Sequence, residues 1–259
     1  KNGAAFVRGE ATTAFDFRDK FSPGWGTTYQ VQRADFDNVL ARGAERMGAT
    51  LRFGDEVLSV EPGAQPQVTV QRPDGSQYVV KAGFILDASG FARLLPRLLQ
   101  LESPSNFPVR GAIFTHVRDH IPAGSGFDRN KILITTHPEH VDVWYWTIPF
   151  SNGCCSLGVV AEPSFFEKYP GTDLEKLQAI VGEDPNLTRL LKNAEWAVLP
   201  VRTITGYSAN VSSLWGEGYA LLGNAGEFLD PVFSSGVTIA FKSAQLASDC
   251  LARRHAGEQ

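Results

Sequence analysis

Apolar and polar positions alternate with a period of two over some stretches of this chain and recur at helical spacing over others. Ala4 to Phe17 alternates in two short bursts, and Thr27 to Arg33 repeats the strand pattern after a Pro23-Gly24-Trp25-Gly26 turn. From Ala34 the period changes. Phe36, Val39, Leu40, Gly43 and Met47 fall at helical spacing, Asp35 and Asp37 sit in the first turn where the dipole favours them, and Gly48 follows, so an amphipathic helix is predicted. Short strands are expected over Thr50 to Phe53, Val57 to Val60, Val68 to Gln71 and Gln77 to Val80, with a hairpin turn at Asp74-Gly75. An apolar strand from Lys81 then ends at Asp87 and Gly90.

Pro104 and Pro108 flank a crossover, and Val109 to Ala161 reads as long strands of an antiparallel sheet rich in aromatic residues. Thr172-Asp-Leu-Glu175 is a capping box for a helix carrying Leu174, Leu177 and Val181 and ending at Gly182. Asp184-Pro185 starts another helix through Leu190-Leu191, and strands return between Trp196 and Val211. Tyr219 to Leu222 reads as a buried strand; Asn224, Gly226, Asp230-Pro231 and Ser234-Ser235-Gly236 break the pattern, and Val237 to Leu251 is helical. Strand, helix and strand with an intervening hairpin is the organisation of the later part of a dinucleotide-binding α/β domain, although no G-x-G-x-x-G follows a strand.

Composition narrows the class. A chain of 259 residues with 43% hydrophobic content can bury a sizeable core. Its net charge of -4 argues against nucleic acid as a partner. No apolar run of bilayer length and no charged-then-apolar leader is present, which places the expected protein away from membranes, in the cytoplasm. Cys154-Cys155 and Cys250 make neither a disulfide framework nor a metal spacing. The start at Lys1, without methionine, reads as a fragment or a processed start.

Four stretches can carry chemistry. The run Gly223 to Val237 is strand, glycine-rich loop and helix start, so free N–H groups and the positive dipole end fall on Ser234, Ser235 and Gly236, which suits an anion. In Trp144-Tyr145-Trp146-Thr147-Ile148-Pro149 both indoles point to one face of a strand. Asp87-Ala-Ser-Gly90 lets backbone approach a phosphate or a sugar hydroxyl at a strand end. Lys1 precedes a small-residue strand, where a buried amine would serve as nucleophile or donor. His116, His120, His137 and His140 lie in strand-like sequence that brings no compact ligand set together, so no metal is expected.

Lys-x-Gly-x-x-Phe at the start, Val31-Gln-Arg33 before Asp35-Phe36-Asp37, Asp87-Ala-Ser-Gly90, WxWxIP, and Gly223-Asn-Ala-Gly with Asp230-Pro-Val-Phe-Ser-Ser-Gly236 together resemble the flavin-dependent halogenases. The resemblance implies an α/β fold with α+β character: a partial FAD-binding, Rossmann-like domain of the flavin monooxygenase type over 1–103 and 214–259, and an antiparallel substrate domain over 104–213. It implies reduced FAD from a separate flavin reductase, with oxygen and chloride or bromide giving hypohalous acid that a lysine delivers to an electron-rich aromatic ring. On this sequence Lys1 would deliver the halogen, Trp144 and Trp146 would wall its path, and Ser234, Ser235 and Gly236 would cradle the halide. Arg33, Asp87, Gly90, Gly223, Asn224, Asp230 and Pro231 would lie along FAD, with Ile148, Pro149 and Phe233 on the substrate side. Phe233 stands where tryptophan-acting members carry glutamate, which leans the substrate towards phenol or pyrrole, including a ring held on an acyl or peptidyl carrier protein. Asn224 replaces the usual aspartate, keeping hydrogen-bonding capacity without the charge. The alternatives are a flavin hydroxylase or geranylgeranyl-reductase-like oxidoreductase of the same fold, and a noncatalytic binding domain.

Overall fold

Gly9, at φ +57°, turns the first period-two stretch into a hairpin of β1 (Gly3–Arg8) and β2 (Ala11–Asp16). The structure is a computed structural model and describes residues 1–228 and 230–257. Helix α1 (Arg33–Arg46) follows where the helical period begins, with Asp35 in its first turn and Arg46 in its last. Strands β3 (Glu56–Glu61), β4 (Gln67–Gln71) and β5 (Gln77–Lys81) form an antiparallel sheet. Its second turn is at Asp74-Gly75, as the sequence predicts, with Gly75 at φ +84°. Strand β6 (Ile85–Asp87), helix α2 (Leu94–Leu98) and strand β7 (Glu102–Ser103) lead to four longer strands: β8 (Gly111–Arg118), β9 (Lys131–Thr136), β10 (Trp144–Pro149) and β11 (Cys154–Ala161). Helices α3 (Pro163–Phe166), α4 (Asp173–Gly182) and α5 (Pro185–Leu190) precede β12 (Arg202–Thr205), β13 (Asn210–Val211), β14 (Trp215–Gly216) and β15 (Tyr219–Leu221). The last element is α6 (Gly236–His255).

These elements form two units, Lys1–Gly43 with Val109–Gly206, and Ala44–Pro108 with Tyr207–Gln259. The first holds a seven-stranded sheet in the order β12-β8-β11-β10-β9-β1-β2, antiparallel except where β1 runs parallel to β9. One sheet face packs on helices: Tyr145, Leu157 and Val159 meet Phe165, Leu177, Ile180 and Leu187 in a fully buried cluster. Each such aliphatic side chain contributes roughly 1.5–3 kcal/mol on burial. The capping box of Thr172 and Glu175 starts α4, and Asp184 caps α5. In the second unit β15 runs parallel to β6, and Leu95, Tyr219 and Leu221 form a smaller core.

Three expectations need correction. Thr27 to Arg33 forms no strand, because β1 already has β2 on one side and β9 on the other; Thr28 N–H bonds only the Lys1 carbonyl at 2.8 Å. Thr50 to Phe53 is also not a strand; Gly54 at φ +80° turns the chain directly into β3. The expected boundaries differ as well: β1 bonds β9, so residues 1–43 belong with the large sheet, while β13 pairs with β7 and draws residues 207–213 into the other unit. Among the described residues no helix is long and apolar enough to cross a membrane.

Candidate functional site

The alternation in β10 puts Tyr145, Thr147 and Pro149 in the helix-covered interior and leaves Trp144, Trp146 and Ile148 half-buried on the opposite face. Pro149, expected beside Ile148 on the substrate side, is therefore on the other face of the sheet. The two indoles do share a wall, with ring centroids 6.0 Å apart and planes at 51°. Register aligns Phe6, Ile134, Trp146, Gly158 and Phe114 across five strands of that face. Trp146 Nε1 donates to Ser156 Oγ at 3.0 Å, and Phe114 packs against its ring at 5.8 Å. Sequence reasoning missed Ser156 and Gly158, the register partners of Ile148 and Trp146, although two small residues at alternate positions of a strand are a readable signal.

Lys1 leads into β1, five positions before Phe6, so its backbone lies about 16 Å along the strands from the row of Trp146. Asn2 fixes its place: Asn2 N–H donates to the Asn130 carbonyl and Phe17 N–H to the Asn2 carbonyl, both at 2.8 Å. Lys1 Nζ is partly buried and donates to the Arg129 carbonyl. Burial, and then the Arg129 charge, hold the amine below the usual lysine value. Arg33 opens α1 and is engaged by Asp37 through two bonds of 2.9 Å. On the helix-covered side, Ala5, Val7, Lys131, Leu133, Asn186 and Arg189 help line a groove of about 610 Å³.

In the second unit Asp87 is buried and its carboxylate organises the turn that follows. Oδ1 accepts from Ser89 N–H and Oδ2 from Leu95 N–H, each at 2.8 Å. Gly90 then adopts φ +61°. Leu222 N–H bonds the Asp87 carbonyl at 2.8 Å, which ties this turn to the loop after β15. Gly223, at φ +52°, lies where a Cβ would be 3.0 Å from Ala240 Cβ, so glycine lets the loop pack onto α6. Its N–H donates to Ser243 Oγ at 3.0 Å.

Asn224 Oδ1 is buried and has no hydrogen-bond partner. Asp230 caps a short turn over Pro231–Phe233 by accepting from Val232 N–H at 2.9 Å, and Ser234 closes it at φ +53°. Phe233 is largely exposed, whereas Phe228 stacks edge-on against Phe91 and Tyr207. Ser235 caps α6 without a side-chain hydrogen bond, which leaves the first-turn N–H groups available to an anion. A Cβ on Gly236 would lie 3.6 Å from Phe228 and 3.9 Å from Asn224 Oδ1, an ordinary contact. The loop thus gathers Gly223, Asn224, Ser235 and Gly236 at the start of one helix. Among the described residues no three His, Cys, Asp or Glu side chains gather to hold a metal.

The profile of a family described as Tryptophan halogenase matches residues 16–258. A 1H-pyrrole-2-carbonyl-(peptidyl-carrier protein) chlorinase of Pseudomonas fluorescens is 32% identical over 237 residues, covering 85% of this chain and 50% of the relative. The sulochrin halogenase of Aspergillus terreus is 27% identical, covering 100% of this chain and 52% of its own. The chain therefore spans about half the length of these curated relatives. Among solved structures, a flavoprotein/dehydrogenase from Cytophaga hutchinsonii superposes with a TM-score of 0.93 at 39% identity, covering all of this chain and 63% of that one. The myxobacterial chondrochloren halogenase, described as a variant of FAD-dependent halogenases, gives 0.87 at 30%, covering all of this chain and 60% of its own. With its fold matched and 16–258 covered by the family profile, this chain belongs to the tryptophan halogenase family.

Proposed function

We propose that the protein halogenates an electron-rich aromatic ring with reduced FAD, oxygen and chloride or bromide, and that Lys1 delivers the halogen. The carrying observation is the Lys1 amine: partly buried, anchored on the Arg129 carbonyl and held below the usual lysine value, it gives up its proton more readily than an exposed lysine and so yields the neutral amine that a nucleophile requires.

The residues of the second unit fit FAD. Asn224 Oδ1 is a buried acceptor without a donor, as a ribityl hydroxyl would supply, and Gly223 keeps the loop close to α6. Asp87, Gly90, Asp230 and Pro231 shape the turns on either side. When bound, reduced FAD supplies the electrons that convert oxygen and halide to hypohalous acid. The first-turn N–H groups of α6 around Ser235 and Gly236, beside Ser234, hold the halide by dipole and hydrogen bonds. Trp144 and Trp146 present apolar ring faces that keep water and substrate out of the oxidant's path.

Phe233 in place of a carboxylate favours a ring that stabilises its own cationic intermediate, a phenol or a pyrrole. The resemblance to an enzyme acting on a pyrrole held by a peptidyl carrier protein supports a carrier-bound ring as one substrate form. A separate flavin reductase is proposed as electron source. The three free cysteines agree with a reducing compartment, the cytoplasm.

Similarity to a protein described as a flavoprotein/dehydrogenase favours a second reading, a flavin oxidoreductase that uses no halide. Supplying the protein with reduced FAD, oxygen, a phenolic probe and bromide, then with bromide omitted, separates them: halogenation predicts a bromide-dependent brominated product, the second reading an oxidised product indifferent to bromide.

A further inference from the structure

Asp119, just beyond β8, is 2% exposed and is fully engaged. Oδ1 accepts from Arg129 Nη1 at 2.9 Å and Ile121 N–H at 3.0 Å; Oδ2 accepts from Arg129 Nη2 at 3.1 Å and the Cys155 thiol at 3.0 Å. A carboxylate this deep is tolerated only when paired and hydrogen-bonded, and here all its donors are protein groups. Arg129 Nη2 also donates to the Phe150 carbonyl at 3.1 Å, so one guanidinium ties the ends of β8 and β10 together, with Cys155 of β11 in the same cluster. The backbone carbonyl of this immobilised arginine receives Lys1 Nζ.

We propose that Asp119, Arg129 and Cys155 are positioning residues for Lys1: the buried carboxylate locks the guanidinium, the guanidinium locks its own peptide, and that carbonyl fixes the direction of the amine. The inference rests on Lys1 being the delivering residue, but it concerns how the amine is set, which can be read without halogenation. The charge follows from the same geometry. The charged groups facing the amine are Arg129 and Asp128, and Asp128 is itself bound to Lys131. The Cys155 thiol is pushed up by burial and by Asp119, so it stays uncharged and does not offset Arg129. A fixed positive charge beside an amine disfavours its protonation. Removing the guanidinium should therefore move the titration of Lys1 Nζ to higher pH.

The test is competitive labelling with isotope-coded acetic anhydride across pH, with acetylation of Lys1 Nζ quantified by peptide mass spectrometry. In the unaltered protein the midpoint should lie below that of an exposed lysine. In Arg129→Gln it should rise by on the order of one pH unit, about tenfold less label at a given pH below the midpoint. Arg129→Lys, which keeps the charge, should restore most of the shift, while Arg110→Gln, at another ion pair of the same unit, should leave it in place. If Arg129→Gln does not fold because Asp119 is left unpaired, the Asp119→Asn/Arg129→Gln double variant removes that charge and should show the same rise. An ordinary exposed-lysine midpoint in the unaltered protein, or an unmoved midpoint in both the single and the double variant, overturns the proposal. Loss of halogenation alone bears only on the function of Lys1.

Discussion

Trp146 lies over Gly158. The two are register partners on β10 and β11, and a Cβ at position 158 would stand 2.6 Å from Trp146 Cε2, inside the ring's van der Waals envelope. The indole is therefore held flat to the sheet by the absence of a side chain beneath it, and by Ser156 Oγ at its N–H. Gly158→Ala should lift the ring at a cost of about 1–3 kcal/mol. A lower denaturation midpoint with altered tryptophan fluorescence is the expected result; unchanged values for both would mean the indole does not occupy this place.

The neighbourhood of Gly236 predicts the opposite balance. An added methyl meets only ordinary contacts there, and the position lies in the first turn of α6, where alanine is a better helix former than glycine by up to about 1 kcal/mol. Gly236→Ala should keep or slightly raise the melting temperature. The methyl stands beside Asn224 Oδ1 at the helix start, so the bromide concentration needed for half-maximal halogenation should rise. A fall in stability with unaltered bromide dependence would contradict the cradle.

Acid sensitivity should report on Glu183. Burial works to raise its carboxyl, but hydrogen bonds from Tyr169 Oη at 2.7 Å and His137 Nε2 at 2.8 Å outweigh it, and the group is held below the usual glutamate value. His137 Nδ1 accepts from the Glu139 and His140 N–H groups, which leaves Nε2–H to donate. A carboxyl depressed in the folded state stabilises above its unfolded value of about 4.3, and the contribution disappears as pH falls through the folded value. Glu183→Gln should be less stable near neutrality and decline less steeply below about pH 4.3. Melting temperatures from about pH 7 to about pH 3 test this, and parallel curves for the two proteins would rule the contribution out.

Much of the architecture is legible in the alternation of residues. The hairpin at Asp74-Gly75, the capping box at Thr172, the face shared by Trp144 and Trp146 and the strand-loop-helix from Tyr219 to α6 all follow from spacing and local turn chemistry. What was not legible depends on which strands become neighbours. Thr27 to Arg33 has the strand pattern but pairs with no strand, and the domain boundary moved because β1 pairs with β9, more than a hundred residues away in the chain. The same holds for the site. Lys1 stands out through the Lys-x-Gly-x-x-Phe pattern of the family resemblance, whereas the anchoring of its amine by Arg129, and of Arg129 by Asp119, arises only when strand ends distant in sequence meet.

The most direct test of the halogenation proposal compares the unaltered protein with Lys1→Ala, each loaded with reduced FAD and given oxygen, bromide and a phenolic probe, with flavin binding checked by absorbance. Product mass spectrometry should find a bromide-dependent product with the paired bromine isotope pattern in the unaltered protein. In Lys1→Ala, with flavin retained, its rate should fall at least about a hundredfold, the scale of losing one positioned catalytic group. An undiminished rate in Lys1→Ala, or an oxidised product formed equally without bromide, would contradict the account.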